Sequence, residues 1–331
     1  MQKKIISSTG LEVSEIGLGC MGMSEFYGPT DDTESLKVIN AALEYGITHF
    51  DTADNYAFGE NEKLLGKAIK HCRDKVVIAT KFGILRDPKN PSFRGLNASP
   101  EYVKYSCDYS LEKLGIDTID LLYLHRIDPA TPIEITIEAM AQLVKEGKVR
   151  YLGLSEANAD TIKRAHSVHP ISAVQTEYSL WSRSPEKEII PLCKELGIGF
   201  VSYSPLGRGF LTGKLNNIDS LSDTDFRRTL PRFQKENIQH NLKIIEVLQS
   251  FANIKNCTVA QIALAWLLAQ GDNITAIPGT RRLEYLSENV QSLNVKLDAS
   301  EIEQLNTSAP MGFAQGSRYS PAAMTVYGFE E

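Results

Sequence analysis

The chain has 331 residues, 42% of them hydrophobic, and a formal net charge of −6. That mild acidity gives no reason to expect nucleic acid or an anionic membrane surface as a partner, and no apolar run approaches the roughly 20 residues that span a bilayer. The opening MQKKIISSTGLEV has no apolar stretch of the signal-peptide kind, and Cys20, Cys72, Cys107, Cys193 and Cys257 are scattered without a CxxC pair, a pattern of reduced thiols in a cytoplasmic protein.

In chain order, KKIISSTGLEVSEI (3–16) reads as a hairpin turning at Thr9-Gly10. Eight short apolar runs follow as strands: EIGLG (15–19), THFDTA (48–53), VVIATK (76–81), LLYLHR (121–126), VRYLGLS (149–155), SAVQTEY (172–178), GFVSYSP (199–205) and ITAIPG (274–279). Most are rich in Val, Ile, Leu or Tyr, as strands buried on both faces should be. Helical patterns lie between them at 30–46, 61–71, 99–115, 132–148, 159–169, 185–197 and 282–293, and a last one at 299–308 leads into a Gly-, Ser- and Pro-bearing tail. In the first of these helices Leu36, Ile39, Ala42 and Leu43 share a face, and Gly46 supplies the stop. Eight strands alternating with helices predict an α/β fold, a (β/α)8 TIM barrel formed as a single domain by residues 1–331. A doubly wound sheet is disfavoured because it usually has fewer strands and because no helix start directly follows GLGCMG, although its glycines are spaced as GxGxxG. Two long βα loops, 85–98 and 207–236, belong on the barrel's C-terminal face, where barrel enzymes place their sites.

Asp51, Tyr56, Lys81 and His125 lie at or just beyond the C-terminal ends of three of these strands. Each alone has an ordinary reading as a turn cap, a packed ring, a snorkelling amine or a satisfied core histidine. Together, in successive βα units, they converge on one polar cluster. Lys81 beside Asp51 makes an ion pair, and a cation next to Tyr56 is expected to lower the phenol's pKa toward the working range of a general acid. His125 can donate a hydrogen bond to the same carbonyl oxygen. A metal-dependent hydrolase built on His49, Asp51 and His125 is the rival chemistry. It lacks an HxH pair on the first strand, and Lys81 would repel the cation, so no metal is expected.

The segments GLGCMG, GITHFDTADNY, ATKFG, DLLYLHR, GKVRYLGLSEA, AVQTEYSLWSR, SYSPLGRGFLTGK and IPGTRRLEYLSENV occur in this order along the chain. In these it resembles the aldo-keto reductases over nearly its whole length. LYLHRID, KRAHSVHP, EYSLW and PLCKELGIG are similar to the pyridoxal/perakine-reductase-like branch. The resemblance implies an NADPH/NADP+-dependent reductase of small-molecule carbonyl substrates, with Tyr56 as proton donor, Lys81 and Asp51 setting its pKa and His125 orienting the carbonyl. It also implies a cofactor site. Gly19, Met21 and Asp51 would lie beside the cofactor, Ser155 and Gln175 at the nicotinamide carboxamide, and Tyr203 stacked on the ring. Ser204, Leu206, Gly207, Gly209 and Leu211 would line the pyrophosphate. Gly279, Thr280 and Arg281 would meet the 2′-phosphate, and Glu288 and Asn289 the adenine.

Four positions depart from the commoner family pattern. Glu156 stands where many relatives have Asn, and Arg126 where many have Trp. Gly279 and Tyr285 replace two basic residues, which leaves the phosphate to Arg281 and Arg282. Phe82, Trp181, Phe313 and Tyr319 can be read equally as pocket wall or as packing. A cofactor-binding regulatory subunit with little turnover is the alternative role within the same family.

Overall fold

The structure, a computed structural model, describes residues 1–215 and 217–327, so one position of the 207–236 loop and the last four of the tail lie outside it. Eight parallel strands run β3 (Leu18–Gly19), β4 (His49–Asp51), β5 (Val77–Phe82), β8 (Ile119–Leu124), β9 (Val149–Ser155), β10 (Ile171–Glu177), β11 (Gly199–Tyr203) and β12 (Ile274–Ala276). Parallel bridges Ile16–Ala276 and Gly19–Gly279 join the two ends of the sheet and close the barrel. Closure needs glycine at the seam. A Cβ on Gly19 would lie 2.8 Å from the Ile277 carbonyl, and one on Gly279 would lie 3.0 Å from that of Gly19.

Strand alternation sorts the side chains. Phe50, Ile78, Phe82, Leu122 and Leu124 pack outward in the layer shared with the helices, whereas Ala79, Leu121, Tyr123, Ala173 and Val201 fill the barrel interior. The hairpin of β1 (Lys3–Ile5) and β2 (Glu12–Ser14) supplies Ile6, Leu11 and Val13 to that interior cluster. The apolar filling leaves the C-terminal mouth for polar groups.

The expected helices form as α1 (Asp32–Glu44), α2 (Glu60–Ile69), α3 (Pro100–Leu114), α4 (Ile133–Lys145), α5 (Ala159–Val168) and α6 (Ile189–Leu196). The region 237–271, to which the reading above assigns no element, is filled by the rest of α7 (Lys235–Asn241), which starts within the 207–236 segment, and by α8 (Lys243–Lys255) and α9 (Val259–Leu268). The chain ends with α10 (Leu283–Gln291), α11 (Ala299–Ser308) and a short α12 (Pro321–Tyr327) in the tail. The segment 85–98, expected to be a loop, is mostly a hairpin of β6 (Ile84–Asp87) and β7 (Asn90–Leu96).

Helix α2 is pinned to the strand ends by buried polar contacts. Asn61 accepts from Thr52 Oγ1 at 2.7 Å and donates to the Cys20 carbonyl at 2.9 Å. Glu62 accepts from Thr80 Oγ1 at 2.6 Å, directly beside Lys81. Burial pushes the Glu62 carboxyl up to about 7. Its folded pKa thus exceeds its unfolded value, and the native state loses stability as pH rises from about 4.5 to about 7. Glu62→Gln keeps the acceptor for Thr80 and removes the charge. Its urea midpoint should match the wild type's near pH 5 and exceed it near pH 8.

Candidate active site

The Lys81 ammonium lies wholly buried at the barrel mouth. It donates to Asp51 Oδ1 at 2.5 Å, to the Thr52 carbonyl at 2.7 Å and to the Tyr56 hydroxyl at 3.4 Å. The Tyr56 and His125 rings meet edge to face with centroids 5.9 Å apart. The four strand-end residues therefore come together. Tyr56 is presented by a turn in which Ala57 and Phe58 both take left-handed φ, of 46° and 56°, a costly conformation that the surroundings must hold. Arg86, from the β6–β7 hairpin, supplies part of that hold. It donates to the Asn55 carbonyl at 2.7 Å, pairs with Glu25, and lies 4.7 Å from the Phe58 ring centroid.

The expected lowering of the tyrosine pKa is not what this environment produces. Burial raises the Tyr56 phenol well above its ordinary value, and Asp51 raises it further, while Arg126 acts in the opposite sense. Asp51 offsets the charge of Lys81, so the phenol is held protonated at rest. Burial likewise lowers the Lys81 amine, with Asp51 opposing it. Burial, then Arg126 and Lys81, hold His125 well below the usual imidazole range, leaving it neutral. His49 sits deeper, fully buried, with burial pushing it down to about 4. Among the described residues no group of three or more His, Cys, Asp or Glu side chains is placed to hold a metal ion.

Ser155 and Gln175 are register partners on β9 and β10. Gln175 Nε2 donates to Asp51 Oδ2 at 2.7 Å. A carboxylate only accepts, so this bond fixes the amide's orientation and leaves Oε1 as its acceptor. Ser155 Oγ accepts from Arg126 Nη1 at 3.0 Å. Tyr203 closes β11, and its hydroxyl lies 3.1 Å from that of Tyr319.

Ser204, Leu206, Gly207, Gly209 and Leu211 form a run of tight turns after β11, with positive φ at Ser204, Gly207, Arg208 and Gly209. The N–H groups of Gly207, Gly209 and Leu211 donate to carbonyls of Ser204 and Leu206, inside the loop itself. In this conformation they do not project toward a phosphate. Farther round the mouth, a cleft of about 390 Å³ is lined by Lys214, Thr258, Gln261, Tyr285, Glu288 and neighbouring residues of α10. Lys214 pairs with Glu288 at 3.2 Å and lies 4.2 Å from the Tyr285 ring centroid; Arg282 lies 5.4 Å from that centroid. Thr280 precedes α10, Asn289 is buried within it, and Met21 opens a short turn after β3. Arg281 donates to the carbonyls of Tyr27, Gly28 and Pro29, stapling the 27–29 segment rather than standing open to the cleft.

The tail returns to the mouth through buried charge. Glu156, at φ 55°, accepts from Arg318 at 3.0 and 3.2 Å and from the Glu177 N–H at 2.9 Å. Glu177 accepts from Arg208 at 3.0 Å and from Ser182 at 2.9 Å, and lies 3.8 Å from Arg318. Burial alone would raise the Glu177 carboxyl, but Arg208, Arg318 and Arg232 outweigh it and hold it at about 2. Arg208 also lies 4.5 Å from the Tyr319 ring centroid. Of the four candidate wall aromatics, Tyr319 reaches this cluster through Arg208, and Trp181 borders it, its ring centroid 5.3 Å from Arg232. Phe82 packs outward, Trp181 stacks on Phe210 at 4.3 Å, and Phe313 lies against His240.

The aldo/keto reductase family model matches residues 15–309. The chain belongs to this family. It is 46% identical over 316 residues, 95% of this chain and 90% of its relative, to probable aldo-keto reductase 1 of Glycine max. Its fold is similar to that of the glycerol dehydrogenase of Gluconobacter oxydans, with a TM-score of 0.82 and 28% identity over 91% of this chain and 93% of that one. It is also similar to an aldo/keto reductase of Klebsiella pneumoniae solved with NADP and acetate, with a TM-score of 0.74 and 26% identity over 97% and 99% of the two chains.

For this aldo/keto reductase, reading the sequence misses Arg86, Glu177 and Arg318. Arg208, Arg227, Arg228 and Arg232 in 207–236 are a signal from which a buried carboxylate partner such as Glu177 could be sought. Arg318→Ala would strand Glu156, and losing one partner of a buried pair costs about 3–5 kcal/mol. The tail should then detach, seen as rapid protease cleavage within residues 310–327 while the barrel stays intact.

Proposed function

We propose that the protein is an NADPH-dependent reductase of aldehydes or ketones to alcohols, with Tyr56 as proton donor. The observation that carries this is the Lys81 ammonium set between Asp51 and the Tyr56 hydroxyl in a dry barrel mouth. NADPH, when bound, supplies the hydride that the carbonyl carbon accepts. The protein's own groups supply the rest. Neutral His125 offers an N–H to the carbonyl oxygen and holds it toward Tyr56. Tyr56, fully protonated at rest, gives its proton to that oxygen as negative charge develops. The Lys81 ammonium then stabilises the phenolate left behind, which is where a buried cation beside a phenol does its work. Because His125 is held neutral, its role does not change across the physiological pH range.

The residues present fit the cofactor. Ser155 and Gln175 are placed for a carboxamide, Tyr203 offers a ring at a strand end, and the cleft beside α10 would take the adenosine. Arg282 and Lys214 flank that cleft and would favour a 2′-phosphate; Arg281 would have to leave its carbonyl partners to join them. The loop 207–236 would re-pack to free its N–H groups for the pyrophosphate. On the same reading the chain is one barrel domain of the pyridoxal/perakine-reductase-like branch, working in the cytoplasm. Its five cysteines are all free.

Tyr56→Phe should lower turnover of an aldehyde panel by about 100-fold or more, while NADPH binding, followed by quenching of protein fluorescence, is retained. Near-normal turnover in this variant would refute the acid assignment. Wild-type protein that binds NADPH yet reduces nothing on the panel would point to the regulatory role instead. Saturating NADPH should also slow protease cleavage within 207–236, and unchanged cleavage would count against loop re-packing.

A further inference from the structure

We propose that Arg126 is a positioning residue that aims the Ser155 hydroxyl at the carboxamide of the bound nicotinamide. The inference rests on the cofactor reading above. Arg126 follows His125 at the barrel mouth and is itself buried. Its Nη1 donates to the His125 carbonyl at 2.5 Å and to Ser155 Oγ at 3.0 Å.

A serine hydroxyl has one proton to give and two lone pairs, and a guanidinium has no lone pair to accept with. The bond therefore runs one way. Arg126 occupies a lone pair of Oγ, and the Ser155 proton must be aimed elsewhere. Among the described residues Ser155 Oγ donates to none, although the residue is buried. A buried hydroxyl with an unspent proton is a group waiting for an acceptor.

Gln175 stands beside it in register, turned by Asp51 so that Oε1 is its acceptor. The pair thus offers one donor and one acceptor side by side, which complements the C=O and NH2 of a primary carboxamide. Asp51 orients one half of that complement and Arg126 the other. A tryptophan, which many relatives carry at this position, has a single indole N–H, whereas Arg126 Nη1 donates to the His125 carbonyl and to Ser155 Oγ together, so this two-point brace belongs to chains with arginine here.

The test compares two ligands: NADPH, and 2′-phospho-ADP-ribose, which lacks the nicotinamide ring. Dissociation constants are measured for wild type, Arg126→Leu, Arg126→Lys, Ser155→Ala and the Arg126→Leu/Ser155→Ala double variant. Arg126→Leu should weaken NADPH about tenfold, the size of one lost hydrogen bond to a buried group, and leave 2′-phospho-ADP-ribose unchanged. That second ligand also reports whether the variant has folded. Arg126→Lys, which keeps a donor, should recover most of the loss. The double variant should be no weaker than Ser155→Ala alone, because both changes remove the same interaction. Multiplying losses, equal weakening of both ligands, or no loss in Arg126→Leu would overturn the proposal. If Ser155→Ala itself leaves NADPH binding unchanged, the carboxamide assignment fails and the Arg126 role falls with it; a loss in Ser155→Ala with none in Arg126→Leu overturns the Arg126 role alone.

Discussion

The site depends on one buried ion pair. Lys81 and Asp51 have side chains 0% and 4% exposed, and neither charge could persist there alone, because an unpaired charge in a dry interior costs several kcal/mol. The pair survives because its own ammonium and both carboxylate oxygens are partnered. The Thr52 carbonyl takes a second ammonium proton, and Asp51 divides its oxygens between Lys81 and Gln175. That division has a functional consequence. One carboxylate holds both the cation that faces the tyrosine and the amide that would orient the cofactor, so in the proposed mechanism the two ends of the hydride path would share a single anchor. Moving either end moves the other.

The barrel makes the pair affordable to fold. Strand alternation sends Asp51 and Lys81 inward while Phe50, Ile78, Thr80 and Phe82 face the helices. Below the pair, Ala79, Leu121, Tyr123 and Val201 fill the interior with carbon. The low dielectric they create strengthens the pair, and it also keeps Tyr56 protonated. Rigidity at the mouth comes from side-chain braces added to the strands: Asn61 and Glu62 from α2, and Arg86 from the β6–β7 hairpin.

This explains what could and could not be read from the amino-acid order. Strands buried on both faces announce themselves as short apolar runs, and Asp51, Lys81 and His125 stand out because ionisable groups end such runs. Helix α9 is buried on almost every side, so its sequence has no polar face to mark a helical period; α8 does carry such a period, in Ile244, Leu248, Phe251 and Ala252. The β6–β7 hairpin hid behind a composition of Pro, Asn and Gly that reads as loop. The direction of the Tyr56 pKa was out of reach for a different reason. It depends on how far Asp51 cancels Lys81 and on how deeply the phenol is buried, and neither is a property of spacing. Arg318 meets Glu156 across 162 positions, a distance at which no local pattern signals a pair.

Glu156 shows how a departure from the family pattern is absorbed. An asparagine at this place could offer N–H groups to a carboxamide; a glutamate can only accept. Here both its oxygens are taken by Arg318 and one also by the Glu177 N–H, so the residue has changed sides, from the cofactor to the tail. On the proposed cofactor reading, the Ser155 hydroxyl, which Arg126 leaves free to give its proton, would be the donor that remains at this place. The four positions 126, 155, 156 and 318 therefore form one coupled set. Restoring asparagine at 156 alone would take from Arg318 its two-point carboxylate partner, and losing the guanidinium at 126 alone would free the lone pair of Ser155 Oγ that it occupies. Residues joined through shared partners do not change independently, and in this chain the tail is tied by Arg318 into the same buried charge cluster as the ends of β9 and β10.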